Sequence, residues 1–303
     1  MSMVICKLPN AGLGNQLFPL MHAQVFAELN HLPIIVVGYH RLKIGPYLRG
    51  EKSKRSYNRS FCFQKNLIRE GLDRVRVMKW EKRCEVIREP EVRKMDEEQL
   101  KKKVFIFEKI AEYDDYFGRL KDYREQVKRI LYSVLNLRIK NHLVQQELPV
   151  VGVHIRMGDF RTLLPGEEYR SGHVRTPQQF FVTTIKNIRK INGKSLPVTL
   201  FTDGYKEEVK EMLELENVKI AEKNPPVVDL LLLSKSKIIL PTHGSTFSAW
   251  AGFLSDAPVV LPFPYQKPLR EDQLYNKIYE GKFEEENQVL QTNIKRIDYI
   301  RIV

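Results

Sequence analysis

The sequence predicts an α/β protein made of two successive Rossmann-like halves, each an open parallel sheet. Short β-branched runs alternate with helical apolar patterns along most of the chain. The alternation breaks and restarts near Pro149. The 303 residues, 43% of them hydrophobic, suffice for two ordinary domains with real cores. The expected division is 1–148 and 149–303, with the last helix and strand able to pack back on the first half. Composition excludes a disordered chain, a collagen-like fibre and a disulfide-stapled miniprotein.

In the first half, an apolar run at 4–8 ends in Pro-Asn-Ala-Gly-Leu-Gly. Leu17, Met21, Val25 and Leu29 follow at four-residue spacing and predict a helix, and Pro33 introduces a strand at 34–37. Gly, Pro, Ser and Asn mark 39–60 as loop. Residues 104–107 read as a strand, and 114–137 as one long amphipathic helix whose first turn holds Asp114 and Asp115.

The second half opens with a strand at 150–155. Thr176-Pro177 looks like a hydroxyl N-cap before a first-position proline, starting a helix that runs to 192. Strands are expected at 197–202, 218–221, 238–240 and 259–261, and helices at 206–215, 227–234 and 245–254. The tail from 270 holds one helix and a final strand at 297–302.

Ligands of such sheets sit at the carboxyl ends of the strands. Four strand ends carry suitable groups. Gly12-Leu13-Gly14-Asn15-Gln16 joins a strand to a helix, but Leu17 stands where a dinucleotide fingerprint needs its third glycine. A ligand-free tight turn explains it as well. His154-Ile155-Arg156-Met157-Gly158-Asp159 ends the strand at 150–155, with His154 and Arg156 on one face by alternation. Arg156 offers a planar fork of donors to phosphate oxygens, with Asp159 to orient it; a purely structural Arg–Asp pair is the alternative. Asp203, after Phe201-Thr202, suits either a ribose or base contact or a helix N-cap. Gly244-Ser245-Thr246-Phe247 opens a helix and offers hydroxyls and amides to an anion, or is an ordinary cap. No G-x-S-x-G elbow, H-E-x-x-H motif or pair of spaced carboxylates at a strand end occurs, so neither a serine hydrolase nor a metal site is expected.

These pieces, in order, resemble the bacterial α-1,2-fucosyltransferase family and its wider fucosyltransferase superfamily. Gly12-Leu13-Gly14-Asn15-Gln16-Leu17-Phe18 is similar to its G-x-GNQ-L-F segment, and Val153 to Phe160 to its H-x-R-R-G-D-Y motif. Phe201-Thr202-Asp203-Gly204 resembles F-S-D-D. Asp229 to Ser234 and Ser245 to Gly252 resemble D-L-x-L-M-S and N-S-T-F-S-W-W-G. Met157, Gly204, His243-Gly244 and Ala249 depart from that pattern, so another GDP-linked sugar stays open.

The resemblance implies a GT-B fold and a metal-independent inverting glycosyltransferase that moves fucose from GDP-fucose to a glycan hydroxyl, O2 by the family's habit, in surface polysaccharide synthesis. The acceptor it implies is often lipid-linked. Arg156, Ser245 and Thr246 would hold the diphosphate, with Phe247 beside them, and Asp203 would contact the nucleoside. His154 would shape the donor pocket. Gly14, Asn15 and Gln16 would reach the donor from the first domain. Asp159 and His154 are the candidates for general base. No cofactor beyond the donor substrate is implied.

The formal net charge of +13 is uneven. Residues 41–69 hold nine Lys/Arg against one acid. A nucleic-acid-binding protein is the rival reading, but the stretch has few interleaved aromatics and the layout matches no common recognition module, so no nucleic acid is expected. The stretch reads instead as contact with an anionic membrane surface or a lipid diphosphate, or as a solvated loop. The opening MSMVICKL lacks the plan of a secretory signal, and Cys6, Cys62 and Cys84 form no disulfide framework. The expected location is cytoplasmic, with peripheral attachment to the inner membrane face.

Overall fold

A computed structural model describes residues 2–40, 48, 57, 59–63, 67–170, 173–270 and 278–298. Most of the basic stretch 41–69 and the end of the expected strand 297–302 lie outside them. The chain forms two compact units, and the long continuous run of the second starts at His142.

The first unit holds strands β1 (Met3–Lys7), β2 (Ile34–Val37), β3 (Glu85–Arg88) and β4 (Lys103–Phe107), all parallel, in the order β2-β1-β4-β3. Helix α1 (Leu13–Leu29) is buried almost all round, so its apolar residues exceed one stripe. Phe26 packs on Phe105 and Phe107 of β4, with ring centroids 4.9 and 5.5 Å apart. Helix α2 (Leu67–Arg83) precedes β3, and a single turn α3 (Glu97–Leu100), closed by an Asp96–Gln99 capping box, precedes β4.

The long helix expected over 114–137 is two. A 3-10 turn, Lys121–Tyr123, leads into α4 (Arg124–Ser133), and α5 (Leu137–Val144) follows. Asp114 and Asp115 do not open a helix. Asp114 Oδ1 accepts from the Asp115 amide at 3.1 Å, and Asp115 pairs with Lys121 at 2.9 Å. Local side-chain bonds of this kind compete with helix formation. The break after α4 is made by Asn136, whose Oδ1 accepts from the Ile139 amide at 2.8 Å and whose own amide donates to Ser60 O. Phe117, Leu120, Val127, Ile130, Leu131, Val134 and Leu135 stay buried across the break, so the apolar face survives although the helix does not.

The second unit is a six-stranded parallel sheet ordered β10-β9-β8-β5-β6-β7. Its strands are β5 (Val151–Ile155), β6 (Val198–Thr202), β7 (Val218–Ile220), β8 (Ile238–Leu240), β9 (Val259–Val260) and β10 (Glu280–Gly281). Helices α6 (Gln178–Asn192), α7 (Lys210–Leu213), α8 (Pro226–Ser234), α9 (Thr246–Leu254) and α10 (Gln288–Lys295) connect and cover them. The two parallel sheets bear out the α/β expectation. Thr176 does not cap α6. Its hydroxyl pairs with Tyr169 Oη at 2.7 Å, and the cap position is Pro177. The described tail packs on α6: Asn192 Nδ2 donates to Ile294 O at 2.8 Å and Ile297 O at 3.1 Å.

Candidate active site

Register assembles the centre of the site. β5 and β6 pair with Ile155 opposite Thr202, so the next residues, Arg156 and Asp203, emerge side by side at the carboxyl edge. Arg156 Nη1 donates to Asp203 Oδ2, while Nε and Nη2 donate to Asp159 Oδ1 at 3.1 and 2.5 Å. Asp203 Oδ1 also accepts from the Met157 amide at 2.8 Å. Asp203 therefore braces the loop after β5 with both oxygens, and it caps no helix. Gly158 permits the closure, because a Cβ there would lie 2.5 Å from Asp203 Oδ2.

Thr242, after β8, ties this loop to its neighbour. Its hydroxyl donates to His154 O at 2.7 Å and accepts from the Arg156 amide at 2.9 Å. Two residues on, Gly244 takes φ 76°, a left-handed turn suited to glycine, and α9 begins. Its N-cap, Ser245, makes no side-chain capping bond, and the first turn contains no acid. The amides there and the helix dipole favour an anion.

β5 ends at Ile155, and His154 and Arg156 bond to different partners. His154 turns toward α9. Its Nδ1 hydrogen-bonds Ser248 Oγ at 2.6 Å, and its ring stacks on Phe247 with centroids 4.8 Å apart. Burial pushes its pKa down to about 3, with Asp203 opposing and Arg156 adding to the shift, so the imidazole is neutral at pH 7.

The Arg156 clamp, Thr242, His154 and the uncapped start of α9 thus converge on one edge of one sheet. The sequence pattern of glycosyl transferase family 11 matches residues 77–279, a span that takes in all of them. The chain belongs to glycosyl transferase family 11.

Solved structures similar to this family 11 chain include NodZ α-1,6-fucosyltransferase soaked with GDP-fucose, at 13% identity and TM-score 0.47, covering 88% of this chain and 97% of that one. NodZ has also been solved from Bradyrhizobium, with the same identity and TM-score. POFUT1 in complex with GDP-fucose matches at 13% identity and TM-score 0.46, over 86% and 97% of the two chains. No curated protein matches the sequence.

The family 11 chain's other expected site residues lie at the start of α1, in the first unit. Gln16 is buried, and its Nε2 donates to Pro9 O at 3.0 Å, bracing the preceding loop. Asn15 Oδ1 is buried without a partner among the described residues, while Gly14 is helical. Pro19 inside α1 has no N–H to donate to the Asn15 carbonyl four residues back.

Two residues lie within the motifs read from the sequence but are given no role there. One is Thr242. The other is Asp229, in the first turn of α8, whose Oδ1 accepts from Asn224 Nδ2 at 3.1 Å. Asn224 Oδ1 in turn accepts from His142 Nε2 at 2.7 Å. Burial raises Asp229 to about 7, opposed by the Asn224 bond. The available signal was one acid in an otherwise apolar helix, Pro-Val-Val-Asp-Leu-Leu-Leu-Leu-Ser. Among the described residues no group of three or more His, Cys, Asp or Glu could hold a metal ion, and no helix is long and apolar enough to cross a membrane.

Proposed function

We propose that this glycosyltransferase moves fucose from GDP-fucose to a hydroxyl, O2 by family resemblance, of a glycan acceptor, with inversion and without a metal. The observation that carries the reading is Arg156, held between Asp159 and Asp203 at the carboxyl edge of the sheet that also carries the uncapped start of α9. Departure of a diphosphate develops negative charge, and fixed donors aimed at it stabilise that charge without reorganising. Arg156 supplies the charge-assisted donors, and Ser245, Thr246 and Phe247 supply first-turn groups of α9.

The clamp suggests how the donor enters. Asp159 is the more exposed of the two acids, at 35% against 14% for Asp203, which the Met157 amide also holds. The diphosphate replaces Asp159 on the guanidinium, and the released carboxylate is then placed to accept the acceptor hydroxyl's proton. His154, neutral and weakly basic, serves as a wall and hydrogen-bonding group of the donor pocket. Asp203 braces the loop and remains the acid assigned to the nucleoside; Asp229, in the first turn of α8, is a second acid available for that contact. Gly14, Asn15 and Gln16 are assigned to the donor by family resemblance alone. Met157 and Gly204 stand where the resemblance has an arginine and an aspartate, so another GDP-sugar is the competing donor. A lipid-linked acceptor, a cytoplasmic location and peripheral contact with the membrane's inner face through 41–69 complete the reading.

A thermal-shift comparison of GDP-fucose, other GDP-sugars, UDP-, CMP- and dTDP-sugars tests it, since a ligand bound only by the folded state raises its stability. Stabilisation by GDP-fucose supports the proposal. A response confined to UDP-sugars overturns it.

A further inference from the structure

Helix α2 is built inside out. Its outward side carries Ile68, Leu72, Val75 and Met78, which are 76%, 56%, 43% and 54% exposed. Residues 68, 72 and 75 fall on one line of a helix, so this is a continuous stripe and not scattered exposure. Single exposed apolar residues need no explanation, but a contiguous row does.

The acids point the other way. Glu70 and Asp73 are each only 3% exposed. Glu70 accepts from the Gly38 and His40 amides at 3.1 Å each and from Arg74 at 2.7 Å. Asp73 pairs with Arg76 at 3.3 Å. Glu81 is held by Lys7 at 2.7 Å and Arg88 at 3.2 Å. The rest of the inward side is Val77, with Trp80 packed on the core of the first sheet. Lys79 and Lys82 continue the outward stripe, and Arg69, Arg76 and Arg83 run along its flank at seven-residue spacing.

We infer that α2 seats the protein on an anionic bilayer, lying in the interfacial plane with Ile68, Leu72, Val75 and Met78 in the acyl boundary. An apolar face flanked by arginines and continued at one end by lysines suits an interfacial helix, because long cationic side chains can reach headgroups while their stems lie along the apolar face. Charge selects this occupant over a second copy. In a two-fold dimer through this face the same Lys and Arg rows would meet each other, with every acid of the helix already turned inward. The inference rests on the peripheral-membrane part of the functional reading, which it refines: residues 41–69 add attraction, while α2 supplies insertion.

The test is co-sedimentation of the full chain with phosphatidylcholine vesicles, with and without phosphatidylglycerol, for the parent, for Ile68→Ser/Leu72→Ser/Val75→Ser, and for Arg49→Gln/Lys52→Gln/Lys54→Gln/Arg55→Gln. The parent should bind the anionic vesicles. The serine variant should lose at least tenfold in binding while its thermal midpoint and GDP affinity are retained, because the replaced side chains face solvent. Undiminished binding by the serine variant overturns the role of α2, and if the glutamine variant then loses binding, the membrane reading stands without it. Absence of parent binding overturns both. A parent dimer in sedimentation velocity that the serine variant abolishes assigns the face to self-association and overturns the inference. GDP affinity is measured separately, so failure here is distinguishable from failure of the donor assignment.

Discussion

Met157 packs directly over Gly204: a Cβ on that glycine would lie 2.6 Å from Met157 Cγ and 3.0 Å from Met157 Cβ. These two residues stand where the resembling family has an arginine and an aspartate. The two departures are therefore one contact. A buried methionine on a glycine replaces what the pattern provides as two charges, and Met157 is only 4% exposed. The loop after β5 keeps its shape through packing and through the Met157–Asp203 bond.

Gly204→Ala should destabilise the fold by about 1–3 kcal/mol, because the added carbon meets the root of Met157 and not its flexible end. Combining it with Met157→Ala should cost less than the sum of the two single changes. Denaturant unfolding of all three variants measures the coupling. Strict additivity would show that the residues act independently.

Arg156→Ala should lower kcat by about 10²–10³ and weaken GDP binding, as expected when a donor to a developing anion is removed. Arg156→Lys should recover little, since a point charge cannot hold Asp203 and a diphosphate with the planar fork of a guanidinium. Some stability is lost too, because Asp203 is left half-buried without its cation, so the assays belong well below the unfolding temperature. Normal transfer by a folded Arg156→Ala protein removes Arg156 from the mechanism.

Asp229 makes stability depend on pH in a defined direction. Its folded value is about 7 against an ordinary 3.8. Between those values the folded chain holds a proton that the unfolded chain has released. Its contribution to stability therefore falls as pH rises through that window and levels off above about 7. Asp229→Asn should gain on the parent as pH rises from about 4.5 to 7.5 in urea titrations. Asn224→Ala removes the bond that favours the carboxylate and should move the upper end of the window higher. A parent–variant difference that does not change with pH would show that Asp229 titrates normally.

Transfer should persist in excess EDTA, because the proposed stabilisation of the leaving diphosphate comes from Arg156 and the start of α9. Loss of activity that manganese restores would place the chemistry in a metal-assisted class.

The sequence by itself determined the α/β class, most strands and helices of the second unit, and the strand ends where the candidate groups lie. Burial periodicity is local, so β5, β6, β8 and α9 could be found from their own residues. It also placed Arg156 and Asp159 near one another, because they are close along the chain. Only the tertiary structure decided what those groups touch. Asp203 faces Arg156 because β5 and β6 are parallel neighbours in one register, and His154 meets Ser248 because the sheet brings α9 beside β5. Neither relation is encoded in spacing along the chain. Helix α2 was missed for the opposite reason. Its acids turn inward to a loop, to neighbouring strands and to its own arginines, while most of its aliphatic residues face outward, so the usual rule that apolar residues mark the buried side fails there. Glu70 turns inward to the amides after β2, and Glu81 to Lys7 and Arg88, partners brought near only in the folded chain.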